Sequence, residues 1–205
     1  MIFMDNNELY KTIRIKNITE TIKDFKTFSF TDYPEIKYKS GQYLTLVRYA
    51  HTEEIRRSYS ITSSPFLNEP LSIGVKRIEN GFFSRLLIDT AIAGNELITI
   101  GAGGLFVLPD DVENYKQVFF FAAGSGITPI YSLIKTVLHA YKYIDVVLIY
   151  SNSSPHKTIF LQELKELEEK FRNRFHTKFL FSNIIELARA RLHRSLLVEF
   201  LNEFL

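Results

Sequence analysis

A chain of 205 residues has room for one large domain or two small ones. It is 46% hydrophobic, with 18 Phe and 11 Tyr, so it can bury a substantial core, and a net charge of +2 is too small to make nucleic acid its main partner. The absence of cysteine excludes disulfides, thiolate catalysis and any cysteine-held iron–sulfur cluster from this chain.

The opening MIFMDNNELY carries Asp5 and Glu8 and no apolar h-region, so it does not read as a signal peptide. No run approaches the roughly 18 apolar residues of a membrane span, and a soluble, cytoplasmic protein is expected. Short β-type runs then follow at residues 10–18, 25–30, 43–49, 57–62, 71–77 and 96–100. Alternation is clear in Lys11-Thr12-Ile13-Arg14-Ile15-Lys16, which sends apolar and polar side chains to opposite faces. Turn signals separate the runs: Asp32-Tyr33-Pro34, Lys39-Ser40-Gly41, Ser63-Ser64-Pro65 and Asn80-Gly81. Six short strands at this spacing predict a six-stranded antiparallel barrel, interrupted by one helix at 82–90.

The pattern changes after Gly101-Ala102-Gly103-Gly104 and Pro109-Asp110-Asp111, which read as a joint. Strands at 118–123, 144–150 and 175–181 alternate with helices at 129–141 and 158–171. Two of these strands are continuous apolar runs, as in a parallel sheet covered on both faces. The alternation predicts a partial doubly wound parallel α/β domain. The expected division is residues 1–110 and residues 115–205. A last helical stretch, 196–205, is apolar on one face and is expected to pack on the sheet.

Three short motifs stand out. Gly124-Ser125-Gly126-Ile127-Thr128-Pro129 follows the strand Val118-Phe119-Phe120-Phe121. Its glycines permit a tight turn and close approach of a pyrophosphate, and Pro129 suits the first turn of a helix whose free N–H groups favour an anion. Pro129 stands where the usual dinucleotide fingerprint has a third glycine, and alone the motif is equally an ordinary strand-to-helix turn. In Arg57-Ser58-Tyr59-Ser60, Arg57 can pair with a phosphate through its planar fork, Tyr59 can stack on a flat ring, and Ser60 offers a hydroxyl to a ring nitrogen, although alone the stretch reads better as an ordinary exposed barrel strand. In Gly81-Phe82-Phe83-Ser84 the N–H groups of a helix start, with Ser84, could hold phosphate oxygens, while Asn80 or Ser84 could equally serve as a cap. The five histidines (51, 139, 156, 176, 193) show no metal-ligand spacing.

Taken in order, Gly41-Gln42-Tyr43, Arg57–Ser60, Val75–Arg77, Gly81–Ser84, Gly103–Pro109 and Gly124–Pro129 resemble the ferredoxin–NADP reductase superfamily, above all the reductase components that feed oxygenases and ferredoxins. The resemblance covers nearly the whole chain. It implies FAD as cofactor, NADH or NADPH as electron donor, and a ferredoxin, an iron–sulfur domain or an oxygenase as acceptor. It implies that Arg57 and Ser58 bind the FAD pyrophosphate region, that Tyr59 stacks on the isoalloxazine, and that Ser60 hydrogen-bonds near its N5. Val75, Lys76 and Arg77 would flank the adenosine side, and Gly81, Phe82, Phe83 and Ser84 would hold the pyrophosphate. Gly124, Ser125, Gly126 and Thr128 would receive the nicotinamide dinucleotide with Thr128 nearest the nicotinamide, and Ser151 and Asn152 would line its other end. Tyr59, Ser60 and Thr128 thus flank the reacting rings, Phe106 lies in a loop that often lines the flavin, and no general base or metal is needed.

Two departures from the family pattern matter. After the strand at 144–150 the chain reads Ser151-Asn152-Ser153-Ser154, without the arginine that often holds a 2′-phosphate, which favours NADH; Lys157 could reach a phosphate. Family members usually continue into a further strand with a Cys-Gly-Pro signature, and many add an iron–sulfur domain, so a truncated piece, or a sheet edge covered by another chain, is expected. The alternative from a different class is a flavin-binding electron-transfer subunit that exchanges electrons with a protein partner without using nicotinamide; a non-catalytic structural piece is the third.

Overall fold

The computed structural model describes residues 9–31, 35–50, 53–183 and 190–204. The expected turn at 32–34, His51 and Leu205 lie outside the described residues. The first half holds β1 (Lys11–Ile22), β2 (Phe25–Thr31), β3 (Tyr43–Ala50), β4 (Glu53–Ser60), β5 (Ser72–Lys76), α1 (Phe82–Thr90) and β6 (Glu96–Gly103). They form one antiparallel sheet of order β4-β3-β6-β1-β2-β5. The alternation in β1 works as expected: Ile13 and Ile15 are buried and Thr12 and Arg14 exposed. Phe28 and Phe30 from β2, Leu44 and Leu46 from β3 and Ile73 and Val75 from β5 complete this core, closed by Phe83 and Leu87 from α1.

The expected barrel is open on one side. β4 and β5, the two ends of the sheet, form no continuous ladder among the described residues; just past β4, the isolated antiparallel bridge Ile61–Ile73 joins them, beside which Thr62 N–H donates to the Ser72 carbonyl at 2.8 Å. α1 covers the gap through the edge-on contact of Phe83 with Tyr59. β4 also begins at Glu53 and not at 57, because it pairs with β3 from Ala50–Glu53 onward; an edge strand with an exposed face accepts its charged run. β6 runs through the expected breaker at 101–103, because pairs Leu44–Ala102 and Tyr43–Gly103 outweigh the glycine cost.

The second half holds β7 (Gln117–Ala123), α2 (Ile127–Ala140), β8 (Asp145–Asn152), α3 (Leu161–Lys170), β9 (Phe175–Phe181) and α4 (Arg194–Phe204). The three strands form a parallel sheet in sequence order, with β8 central and β7 paired on one side among the described residues. β8 explains its own unbroken apolar run: Val146, Leu148 and Tyr150 enter the core under α2 and α3, while Val147 and Ile149 join Leu196 and Phe200 of α4 on the other face. α3 starts at Leu161 and not at 158, because Phe160 takes left-handed backbone (φ 59°) after a 3-10 turn at Pro155–Lys157. Phe25 of β2 leaves the first core and enters the second, meeting Phe160 edge-on at 5.6 Å.

Candidate functional site

The first group of candidate residues sits at the open side of the barrel. Arg57 pairs across from Leu46 and Tyr59 from Leu44, and directly opposed residues of an antiparallel pair share a face. Arg57 and Tyr59 therefore project toward the side on which Leu44 and Leu46 are buried, where no further strand covers β4 among the described residues. The two adjacent arginines have different fates. Arg56 is tied to Glu54, whose other partners are the Tyr10 hydroxyl at 2.7 Å and the Tyr49 hydroxyl at 3.0 Å. The Tyr10 hydroxyl and the Arg56 guanidinium hold Glu54 below the usual carboxylate range. Arg57 has no carboxylate partner among the described residues, where its one side-chain bond goes to the Arg56 carbonyl at 2.6 Å. Burial pushes the Tyr59 phenol up to about 12 against the opposing pull of Arg57, so the ring is neutral near pH 7. Ser58 shares a hydrogen bond with Thr45 at 3.0 Å on the opposite face, while the Ser60 hydroxyl is unpaired among the described residues.

The start of α1 lies at the same gap. Gly81 is its N-cap and no side chain caps it, so the N–H groups of its first turn remain available to an anion. The Ser84 hydroxyl is turned inward: it accepts from the Ile78 N–H at 3.1 Å and donates to the Gly81 carbonyl at 3.2 Å. A Cβ at Gly81 would fall 2.5 Å from that oxygen, so glycine is required for the hook to form. Phe83 is buried and Phe82 exposed, with the Arg48 guanidinium 5.7 Å from its ring centre. Of the three residues expected to flank adenosine, Val75 is in the core and Arg77 forms a two-pronged pair with Asp89 at 2.9 and 3.0 Å. Lys76 faces the second half.

There the turn Gly124–Gly126 follows β7. Gly124 is left-handed (φ 50°), and the buried Tyr150 of β8 donates its hydroxyl to the Gly124 carbonyl at 2.8 Å. Burial raises the Tyr150 phenol, which therefore keeps this proton. Thr128 donates to the Ser125 carbonyl at 2.7 Å and closes the turn. Nothing lies within 4 Å of a Cβ built at Gly124 or Gly126, so the turn opens onto free space. That space is a cavity of about 620 Å³, within the range of ligand pockets. Ser151, Asn152 and Ser153 line it, and the Asn152 amide nitrogen is buried without an acceptor among the described residues. Lys76, Lys157 and Arg191 also line it, each without an ion-pair partner among the described residues. A hollow of about 270 Å³ adjoins it, sharing Lys76, Gly124 and Lys157.

The two groups approach each other through β5. Ile61, one residue past Ser60, pairs with Ile73, and a Cβ at the next residue, Gly74, would lie 2.6 Å from Thr128 Cγ2. Tyr150 and Arg191 carried no motif in the sequence: a tyrosine ending an apolar strand reads as core, and Arg191 reaches the cleft from well beyond β8. Among the described residues no cluster of His, Asp or Glu could hold a metal ion, and no helix is long and apolar enough to cross a membrane.

Comparison with known proteins agrees with this layout. Residues 12–107 match the oxidoreductase FAD-binding domain and residues 120–189 the oxidoreductase NAD-binding domain. The chain is 35% identical to the ferredoxin reductase component of 3-ketosteroid-9-alpha-monooxygenase from Mycolicibacterium smegmatis, over 79% of this chain and 47% of that protein. It is 32% identical to the glycine betaine monooxygenase reductase subunit from Pseudomonas aeruginosa, over 78% and 44%. The chain thus spans about half the length of the curated relatives it matches. Among solved structures, the CS-b5R domains of human Ncb5or align with a TM-score of 0.81 at 22% identity, over 96% of this chain and 59% of that one. Ferredoxin-NADP+ reductase from Plasmodium falciparum aligns at 0.73 and 22%, over 85% and 71%, which shows a shared fold.

Proposed function

The chain belongs to the ferredoxin–NADP reductase superfamily, and on that premise we propose that it is an FAD-dependent oxidoreductase that takes a hydride from NAD(P)H and passes electrons to a ferredoxin, an iron–sulfur domain or an oxygenase. The observation that carries the reading is the meeting of the two candidate groups across Ile73–Gly74. The division into a flavin half, residues 1–110, and a dinucleotide half, residues 115–205, is supported by the two sheets and by the family matches on either side of the joint. A cytoplasmic setting belongs to the same reading.

The residues fit both ligands. An Arg57 free of carboxylates, the unpaired Ser60 hydroxyl, the neutral Tyr59 ring and the uncapped start of α1 suit a flavin dinucleotide. The open Gly124–Gly126 turn and the orphaned Asn152 amide suit a second dinucleotide. FAD, when bound, supplies the capacity to accept a hydride and release its electrons singly. The chain itself supplies orientation and shielding. Arg57 and the α1 N–H groups hold phosphate oxygens, Tyr59 covers one ring face, Ser60 donates a hydrogen bond to a ring nitrogen, and Thr128 abuts β5 where the nicotinamide end is received. Tyr150 keeps the Gly124 carbonyl turned away from the incoming phosphates. Val75 and Ser84 contribute through the backbone, since both side chains are turned inward.

The sequence favoured NADH because no arginine directly follows β8. The cleft instead gathers Lys76, Lys157 and Arg191 beside Ser153 and Ser182, with no carboxylate among its described lining residues, which supports NADPH as the better donor. The experiment is anaerobic addition of NADPH or NADH to the FAD-loaded chain, followed by the flavin's long-wavelength absorbance. Bleaching is expected, faster with NADPH. A flavin that neither donor bleaches would overturn the oxidoreductase reading and favour the subunit that uses no nicotinamide; equal rates would overturn only the donor preference.

A further inference from the structure

Beside the apolar contact that Phe25 makes, the two halves meet along one face of α2 through a seam of polar groups. Ser132 donates to the Ser63 carbonyl at 2.6 Å, and Thr136 Oγ1 lies 2.7 Å from Ser64 Oγ and 2.5 Å from Ser40 Oγ. Between them Lys135 Nζ sits 2.6 and 2.7 Å from the two carboxylate oxygens of Glu69, which also accepts from the Ser64 N–H at 3.3 Å. Lys135 is only 7% exposed, and its ammonium lies 4.7 Å from the Tyr131 ring centre. Burial lowers the Lys135 pKa, and Glu69 opposes that shift without cancelling it.

Lys135 and Glu69 line neither candidate cleft. Stability alone does not call for them, since an apolar pair of similar size commonly holds an interface as well as a buried ion pair. Glu69 keeps 29% of its side chain exposed, but the ammonium is buried, and a buried ammonium held by a two-pronged carboxylate adds a fixed direction, because that charge is strongly disfavoured out of register with its partner. The position of the seam matters here. Ser63 and Ser64 follow Ser60 by three and four residues, and Ser132, Lys135 and Thr136 lie on the helix that begins at the dinucleotide turn. We propose that Lys135 and Glu69 are positioning residues: they fix the dinucleotide turn relative to the flavin strand and so set the alignment of the two reacting rings. The proposal rests on the oxidoreductase reading above.

The test uses the FAD-loaded chain and the variants Lys135→Met, Glu69→Gln and the reversed pair Lys135→Glu/Glu69→Lys. Stopped-flow flavin reduction at saturating nucleotide is expected to fall about 10- to 100-fold in each single variant, while FAD and nucleotide affinities stay within about threefold. Amide hydrogen exchange in 61–72 and 127–140 should quicken in both single variants, and the reversed pair should recover part of the rate. Wild-type reduction rates in the single variants would overturn the proposal. So would affinities that fall in step with melting temperature, which is the mark of a merely structural pair. If Lys135→Met does not fold, Lys135→Gln and Glu69→Gln make the same measurement with smaller changes. A wild-type flavin that no nucleotide reduces would defeat the oxidoreductase reading, and unchanged hydrogen exchange in the variants would then separately defeat the clamp.

Discussion

The barrel half and the α/β half present their candidate ligand groups by opposite means. In the barrel, strand register does the sorting. Of two neighbouring arginines, Arg56 is neutralised by Glu54 and Arg57 is left at the open edge. In the α/β half, the backbone does it. A left-handed glycine, pinned by the Tyr150 hydroxyl, opens the turn, and the charges arrive from distant elements. A site built on register concentrates its information in a few consecutive residues, whereas a site built on a backbone turn depends on whatever the fold delivers around it.

That contrast sets the order of expected effects. Arg57→Ala should weaken FAD binding by about 1.5–3 kcal/mol, the loss of a charged hydrogen bond, with nucleotide affinity unchanged in a fluorescence titration. Gly74→Ala places a methyl 2.6 Å from both Phe25 and Thr128. It should lower stability by about 1–3 kcal/mol in urea unfolding and, unlike any other change here, weaken both ligands together. Tyr150→Phe removes one hydroxyl from a filled core position. Nucleotide affinity should drop by about 0.5–1.5 kcal/mol with FAD affinity intact; an equal loss of both would erase the distinction between the halves. Arg56→Ala should change FAD affinity by no more than about twofold, and a loss matching that of Arg57→Ala would show that register does not sort the pair.

Much of this was legible in the sequence, for physical reasons. Both halves follow from periodicity, because Ile13 and Ile15 alternate with polar neighbours and β8 is apolar on both faces. The motif residues Arg57 and Tyr59 lie on the face of β4 that looks to the open side of the barrel, and Gly124–Gly126 form the turn between β7 and α2. The start of β4 was hidden because Glu53-Glu54-Ile55-Arg56 reads as loop until its pairing with β3 is known. The open side of the barrel was hidden because closure depends on sheet order and not on strand count. That Lys76 lines the cleft beside Gly124 and Ser151 was hidden, since strand alternation gives a residue's face and not which domain that face meets. Lys135 left a faint trace: Ser132, Lys135 and Thr136 form a polar stripe on a helix whose remaining positions are mostly apolar, which marks a second buried face.

The place of β6 in the barrel has a consequence for how the chain assembles. It lies between β3 and β1, pairing with Tyr43–Val47 on one side and with Lys11–Arg14 on the other, yet it is the last of the six strands in sequence. Until residues 96–103 have been synthesised, the β1-β2-β5 and β3-β4 groups are joined through the Ile61–Ile73 bridge but lack the strand that lies between β1 and β3, and the inward faces carrying Ile13 and Leu46 remain unconnected by a ladder. The flavin half is therefore expected to fold late and in one step once Gly103 is free of the ribosome, with a rate set by long-range closure rather than by its local hairpins.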